Sequence, residues 1–511
     1  MDTGRCSSHV LPFLIVHKSG GGGVYWSDMK PMPGESPESE VQRPKSIRLA
    51  VFGGMVAGVL LVALMLLFRQ GRPGASPNSH SVAASAGAHS PSDAIAGGGR
   101  FTRGFDSTRA RESAASAEQI VADKVRQFGR SRRAIAERIA KRRNEALPPE
   151  IDAFFKAIDQ GDWAEISSRW EELAVHATRQ YDRSKGDRPD LQPYWPMVLD
   201  AYGVAEQKHD WPAQRLLDYG NAIMDSLKPG MVYVGGTDPG RFVPELMSET
   251  SDDPHIVITQ NALADPTYLE YVGELYGGQF NTLSKEDSSR IYEDYVADAQ
   301  KRYQHDLDFP NEPKQLLPGE NVSLVDGKVQ VTGQVAVMAI NERLLQAMMA
   351  QNPDLSFALQ ESFPLRGTYA NAAPLGPLME LNAPSDQAPF TADVAEQSVD
   401  YWRSATQSLL AYPGEGETAD NALKTYSKDI NATANLLASH HFTAQAEEAY
   451  TLATQVFPGN PEPMAGLAQL LAQTGRADEA KAVLDQFAAK YPSQSKWVDQ
   501  ARAAIKWAAT Q

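Results

Sequence analysis

The stretch GGTDPGRF, Gly235 to Phe242, holds the residues best placed to do chemistry. It follows MVYVGG (231–236), an apolar run rich in β-formers, so a strand should deliver the chain into it. Gly235 and Gly236 permit a tight backbone turn. Asp238 is a favoured N-cap residue, and Pro239 fits the first turn of a helix. A helix N-terminus offers free N–H groups and the positive end of the dipole, which suit an anion. Arg241 would be its second anchor. In open α/β sheets, ligands bind beyond the carboxyl ends of the strands. The loops expected there hold Thr237, Asp238 and Arg241, then Gln260, Asn261 and Asp265, then Glu361 and Ser362. The candidate ligand-binding set is therefore Gly235, Gly236, Thr237, Asp238, Arg241, Gln260, Asn261 and Asp265. A carboxylate repels a bound anion, so Arg241 and the backbone amides are assigned to the anion. Asp238 is left to capping or to a hydroxyl. The competing reading is a capped helix start with ordinary loop polarity.

Other chemistry is not signalled. The chain has no HExxH, no CxxC, no GxxxxGK[ST] and no GxSxG. No catalytic residue, metal site or cofactor is expected. His440 and His441 are adjacent, so on a helix they would point apart by ~100°, and both read as surface residues at a turn.

The elements that must position the loops can be read in outline. HIVITQ (255–260), SFALQES (356–362) and GPLMELN (376–382) are further short strands, with helical patterns between them. Strands alternating with helices predict an α/β domain over 229–392 with a mostly parallel sheet. VSLVDGKVQVTG (322–333) predicts a hairpin turning at Asp326-Gly327. Residues 148–228 predict two helical hairpins, with Trp163, Trp170, Tyr202 and Tyr219 filling the space between helices. Residues 393–511 predict a helical domain. Within it, 427–494 divides into two units of 34 residues: Ala434 matches Ala468, Leu436-Leu437 match Leu470-Leu471, Ala446 matches Ala480, and Pro458 matches Pro492.

Ahead of the body, Leu49 to Phe68 is twenty residues without charge or proline, flanked by Arg43, Lys45, Arg48, Arg69 and Arg72. At ~1.5 Å per residue it spans a ~30 Å bilayer core, which predicts a transmembrane helix over 47–69. The 48 residues ahead of it argue against a cleaved secretory signal. The positive-inside rule leans towards an N-terminus in the cytoplasm and a body outside. Residues 1–46 read as a disordered arm, and 70–112, rich in Gly, Ser, Ala and Pro, as a flexible linker. Residues 113–147 predict one basic amphipathic helix. Val121, Val125, Phe128, Ile135 and Ile139 form its stripe, and Arg132 fills the missing position. Such a helix can pair as a coiled coil, lie on anionic lipid, or dock one face on the body. Homo-oligomers through it or through the membrane helix, where Gly54 and Gly58 sit four apart, are expected partners of the first kind.

Net charge is −16, with 27 basic and 52 acidic residues in 148–511. So acidic a body excludes nucleic acid as the main ligand, because phosphate neutralisation needs a basic face. The one cysteine, Cys6, keeps disulfides out of the body.

The 34-residue units, with small residues where two helices cross and a proline ending the second helix, resemble the tetratricopeptide repeat. Phe487 departs from that pattern, which prefers a small residue there. The segments TDPGRF, ITQNALADPTYLEYV, GQVAVMAIN and ESFPLRGTY, over roughly 200–385, resemble bacterial membrane-tethered proteins and the soluble tail of multi-spanning, glycosyltransferase-like membrane proteins. That resemblance implies a bacterial inner-membrane location with the body extracytoplasmic. It does not imply transferase activity, since one spanning helix cannot form such an active site. The expected fold is thus a single N-terminal transmembrane helix, an α/β domain flanked by helical hairpins, and C-terminal α-hairpin repeats. The expected function is a membrane-tethered scaffold whose repeats dock a protein or peptide, with an α/β domain that is structural or binds a small polar ligand. The alternative is an envelope enzyme acting on a glycan or nucleotide-sugar, with Asp238 and Asp265 as its acid/base pair.

Overall fold

The computed structural model describes residues 114–509, apart from 178–187, 189, 237, 317–319, 326–327, 363–364, 383–389, 412–413 and 415. It also describes two short antiparallel strands, β1 (His17–Lys18) and β2 (Val24–Tyr25). The expected transmembrane helix over 47–69, the expected linker over 70–112 and most of the expected arm over 1–46 lie outside the described residues. Among the described residues, no helix is long and apolar enough to cross a membrane.

The basic helix is α1, Ala114–Arg142. Its apolar stripe is spent on this chain: Val121, Val125, Phe128 and Ile135 are buried in the main core. The stripe is therefore not open to a coiled-coil partner or to lipid. Arg132, in the missing stripe position, is buried with it, its guanidinium 4.0 Å above the Phe128 ring. Four helices follow as two hairpins: α2 (Pro149–Gln160) with α3 (Trp163–Ala177), and α4 (Trp195–Asp210) with α5 (Ala213–Met224). Gly161 ends α2 in the left-handed conformation, with φ +75°, and so makes the first turn. Trp170 stacks on Tyr202 at 4.1 Å and on Trp195 at 4.8 Å, which closes one hairpin on the other.

The central sheet has five strands in the order β4-β3-β7-β9-β8. They are β3 (Val232–Gly235), β4 (Val257–Thr259), β7 (Phe357–Leu359), β8 (Ala372–Leu375) and β9 (Leu378–Leu381). The β4, β3 and β7 pairings are parallel, with Gly235 beside Thr259. The expectation of a mostly parallel sheet holds only for that half. GPLMELN was expected as a lone strand but is one arm of a β8–β9 hairpin that turns at Gly376 (φ +58°), and β9 runs antiparallel to both neighbours. The hairpin at 322–333 forms as β5 (Asn321–Val325) and β6 (Lys328–Thr332), outside the central sheet.

Helices cover the sheet. After β3 comes α6 (Pro239–Glu249), and after β4 comes α7 (Pro266–Tyr276). The long α8 (Lys285–Asp308) precedes the β5–β6 hairpin, and α9 (Gln334–Gln351) precedes β7, with the short α10 (Arg366–Tyr369) behind it. Pro244 lies inside α6 and lacks the N–H that would bond the Gly240 carbonyl one turn earlier. The buried Tyr233 hydroxyl, from β3, donates to that carbonyl instead. Tyr233→Phe should therefore leave a buried acceptor unpaired and cost about 1–3 kcal/mol, read as a lower midpoint in urea with an unchanged slope.

The C-terminal helices are α11 (Ala392–Ala411), α12 (Glu417–Ser439), α13 (Thr443–Val456), α14 (Pro461–Gln473), α15 (Ala477–Lys490) and α16 (Ser495–Ala509). The α12–α13 and α14–α15 hairpins are the two 34-residue units, and α12 begins ten residues before the first of them. Ala434, Ala446, Ala468 and Ala480 are all buried, and Gly466 faces the Tyr450 ring so closely that a Cβ would lie 2.3 Å from it. Phe487 is accommodated, with its ring 4.9 Å from Tyr491 and 6.3 Å from Trp497 of α16. Ala446→Leu should overpack the α12–α13 crossing by about 1–3 kcal/mol; an unchanged melting temperature of the full chain would contradict the crossing. One apolar core runs from α1 through the sheet to α14, and a second, smaller one joins α14, α15 and α16.

Candidate binding cleft

The GGTDPGRF stretch does follow a strand, and Pro239 does start a helix. Its chemistry differs from the expectation. Gly236 is not an anion cradle, because its N–H donates to Gln360 Oε1 at 3.1 Å. A Cβ on Gly236 would lie 1.8 Å from Ser362 Oγ, and one on Gly240 2.1 Å from Gln360 Oε1. The glycines are there so that the chain after β7 can press against the β3–α6 turn. The Gly235 carbonyl accepts from the Gln260 N–H at 2.8 Å. Thr237 lies outside the described residues.

Arg241 is not an anchor for a ligand either. It is buried, its Nε is 3.1 Å from Glu245, and its Nη2 bonds Asp200 of α4. Asp200 also takes a hydrogen bond from the Tyr271 hydroxyl of α7 and lies 3.5 Å from Arg132 Nε. Arg132 reaches Glu249 as well, at 3.2 Å. Two arginines and three carboxylates thus bind α1, α4 and α6 together in the interior. Burial, then the Asp200 charge, push the Glu245 carboxyl up to about 7. No residue of this cluster lines the cleft described below.

Asp238 occupies the N-cap position of α6 at φ +46° but makes no side-chain cap. It opens instead into a cleft of about 110 Å³. Gln260, Asn261 and Asp265 are not in its lining. They follow β4, on the far side of β3, whereas the cleft lies on the β7 side. Gln260 is committed to the Ser362 N–H, and Asp265 caps α7 by accepting from the Thr267 N–H at 2.8 Å. The pair Asp238 and Asp265 is therefore not assembled in the cleft. Asn261 is buried beyond β4, and its strand is the parallel neighbour of β3 as expected.

One wall of the cleft comes from the strand ends: Asp238, Gly240, Gln360, Glu361 and Ser362. The other comes from the C-terminal helices, with Asn421, Lys424, Lys428, Asn431 and Asn435 of α12 and Glu462 of α14, and the end of α4 adds Gln207, Asp210 and Trp211. Lys424, Lys428, Asn431 and Asn435 follow one another at spacings of four, three and four, which puts them on one helix face. This wall was missed. Its residues lie some 190 positions from the loop motif, and their only local signal is a polar face in NALKTYSKDINATAN.

Gln360 joins the walls. Its Oε1 holds Gly236, and its Nε2 donates to Asp429 of α12. Asp429 is enclosed, and burial pushes its carboxyl up to about 7. His440, expected at the surface, is half-buried. It bonds the Tyr369 carbonyl at 2.8 Å and packs on Phe390 at 4.6 Å, fastening the α12–α13 turn to the α/β domain.

Residues 442–505 match the family model of the tetratricopeptide repeat. That segment of the chain is a tetratricopeptide-repeat array, in keeping with its α-hairpins and buried alanines. No curated protein and no solved structure matches the chain.

Proposed function

We propose that this chain is a membrane-tethered interaction scaffold, held in a bacterial inner membrane by Leu49–Phe68 with its body outside the cytoplasm. The tetratricopeptide repeats dock a protein partner, and the α/β domain braces the repeats and binds a small polar ligand in the cleft it shares with them. The observation that carries the reading is the repeat match at 442–505, because stacked α-hairpins of this kind present extended surfaces for binding. Support for the tether is the uninterrupted apolar stretch with basic flanks.

The test compares two charge-reversed full-length chains purified in detergent from the native host. Lys481→Glu with Lys490→Glu alters an exposed face of the second repeat, whereas Lys285→Glu with Lys301→Glu alters an exposed face of α8. A protein that co-purifies with the parent should be lost from the first variant and kept by the second. Loss from the α8 variant alone would place docking elsewhere and refute the reading.

A further inference from the structure

The cleft is lined by both signs of charge, and they are interleaved. Glu462 acts on Lys424 from the helical side, Asp210 comes from the end of α4, and Asp238 and Glu361 come from the strand side. Four carboxylates against two ammoniums work against a bound anion, and the two lysines in the same lining work against a bound cation. Part of the lining is already committed. Gln360 is held at both ends, Asp210 lies 2.9 Å from His209 Nδ1, and Glu361 accepts from the Tyr369 hydroxyl and has a further partner.

What remains open lies on one face of α12. Asn431 is 4% exposed, lines the cleft, and its Oδ1 has no hydrogen-bond partner. Asn435, one turn on, spends its Oδ1 on the Tyr450 hydroxyl at 2.8 Å, and nothing among the described residues takes its amide N–H groups. Lys428, one turn before Asn431, makes no hydrogen bond or ion pair among the described residues. Donor, acceptor and donor thus follow one another along the helix.

We propose that the cleft binds a neutral polyol, a monosaccharide or a molecule of that size and hydroxyl density. One hydroxyl donates to Asn431 Oδ1 and accepts from Lys428. Its neighbour on the ring accepts from the Asn435 amide, and Asp238 accepts from a hydroxyl on the opposite side. This deepens the small-ligand part of the proposed function and rests on it, not on the docked protein.

The chemistry of the open groups carries the choice. A hydroxyl both donates and accepts, so neighbouring hydroxyls answer alternating donors and acceptors without bringing net charge. A buried amide oxygen calls for a donor, which a carboxylate lacks. The cleft also has the room. Its 110 Å³ is several times the ~10–15 Å³ that one water needs, which suits one sugar ring.

The experiment is calorimetric titration of the full chain in a detergent without a sugar headgroup. The neutral probes are glucose, galactose, mannose, N-acetylglucosamine and myo-inositol; the charged comparators are inorganic phosphate, glycine and putrescine. At least one neutral probe should bind, and its affinity should change less than about twofold between 50 and 500 mM NaCl, because no net charge is exchanged. Asn431→Ala and Lys428→Met should each weaken that binding at least tenfold, with the ligand-free melting temperature within a degree or two of the parent. Among the monodeoxy analogues of the bound probe, one should lose as much on the parent as Asn431→Ala costs and lose nothing further on that variant. Binding of a charged comparator with no neutral probe bound would overturn the polyol while leaving a small-ligand site. Absence of binding by every probe would overturn both, without touching the docking of a protein on the repeats.

Discussion

Asp200→Ala should destabilise the full chain by about 3–5 kcal/mol, the largest loss expected from a single side chain here. Asp200 is almost fully enclosed, and it accepts from Arg241, from the Tyr271 hydroxyl and, at longer range, from Arg132. Removing it leaves two buried guanidiniums short of their shared carboxylate. Glu245 and Glu249 each hold only one of the two arginines, at 3.1 and 3.2 Å. Asp200→Asn should cost less, because the amide keeps one oxygen that can accept from Tyr271, although the negative charge that both arginines share is lost. Chemical denaturation reads the difference directly. A loss below about 1 kcal/mol for Asp200→Ala would mean that water reaches the cluster.

The second large effect is on pH dependence. Asp429 is enclosed, and its folded carboxyl titrates near 7 against an ordinary value of 3.8, because burial penalises the charged form. The folded chain therefore holds a proton between about pH 4 and pH 7 that the unfolded chain has released. Stability falls as pH rises through that window. Asp429→Asn cannot ionise and keeps an oxygen for Gln360, so it should match the parent near pH 4 and exceed it at pH 8 by on the order of 2–4 kcal/mol. Glu245, also pushed up to about 7, should leave a smaller slope of the same sign in the variant. Denaturation midpoints of parent and variant at pH 4, 6 and 8 check this, and parallel curves would contradict it.

Local order was legible in the sequence wherever it depends on neighbours in the chain. The β3–α6 motif, the hairpin at 322–333, the two helical hairpins and the repeats all follow from short-range spacing of apolar residues, glycines and prolines. The direction of β9 was not legible, because it depends on the β8–β9 hairpin at Gly376 inserting its second arm beside β7, a pairing across about twenty residues that the strand's own residues do not show. Arg241 shows the limit for the site. A positive residue in a loop–helix motif reads as a ligand anchor until the fold brings Asp200, from 41 positions earlier, into contact with it. Arg132 shows the reverse: it fills a position in an apolar stripe with no local sign of a partner, and it is a buried member of that same cluster. The second wall of the cleft needed the fold as well, since nothing near Lys424 or Asn431 points to Asp238.

The measurement that bears most directly on the chain as a docking scaffold is photocrosslinking in the native host. A photoreactive residue replaces Gln486, exposed on the second repeat, in one strain and Leu307, exposed on α8, in another. A discrete covalent adduct to one protein should form from position 486 and be absent from position 307. No adduct from 486, or the same adduct from 307 alone, would contradict the assignment of docking to the repeats.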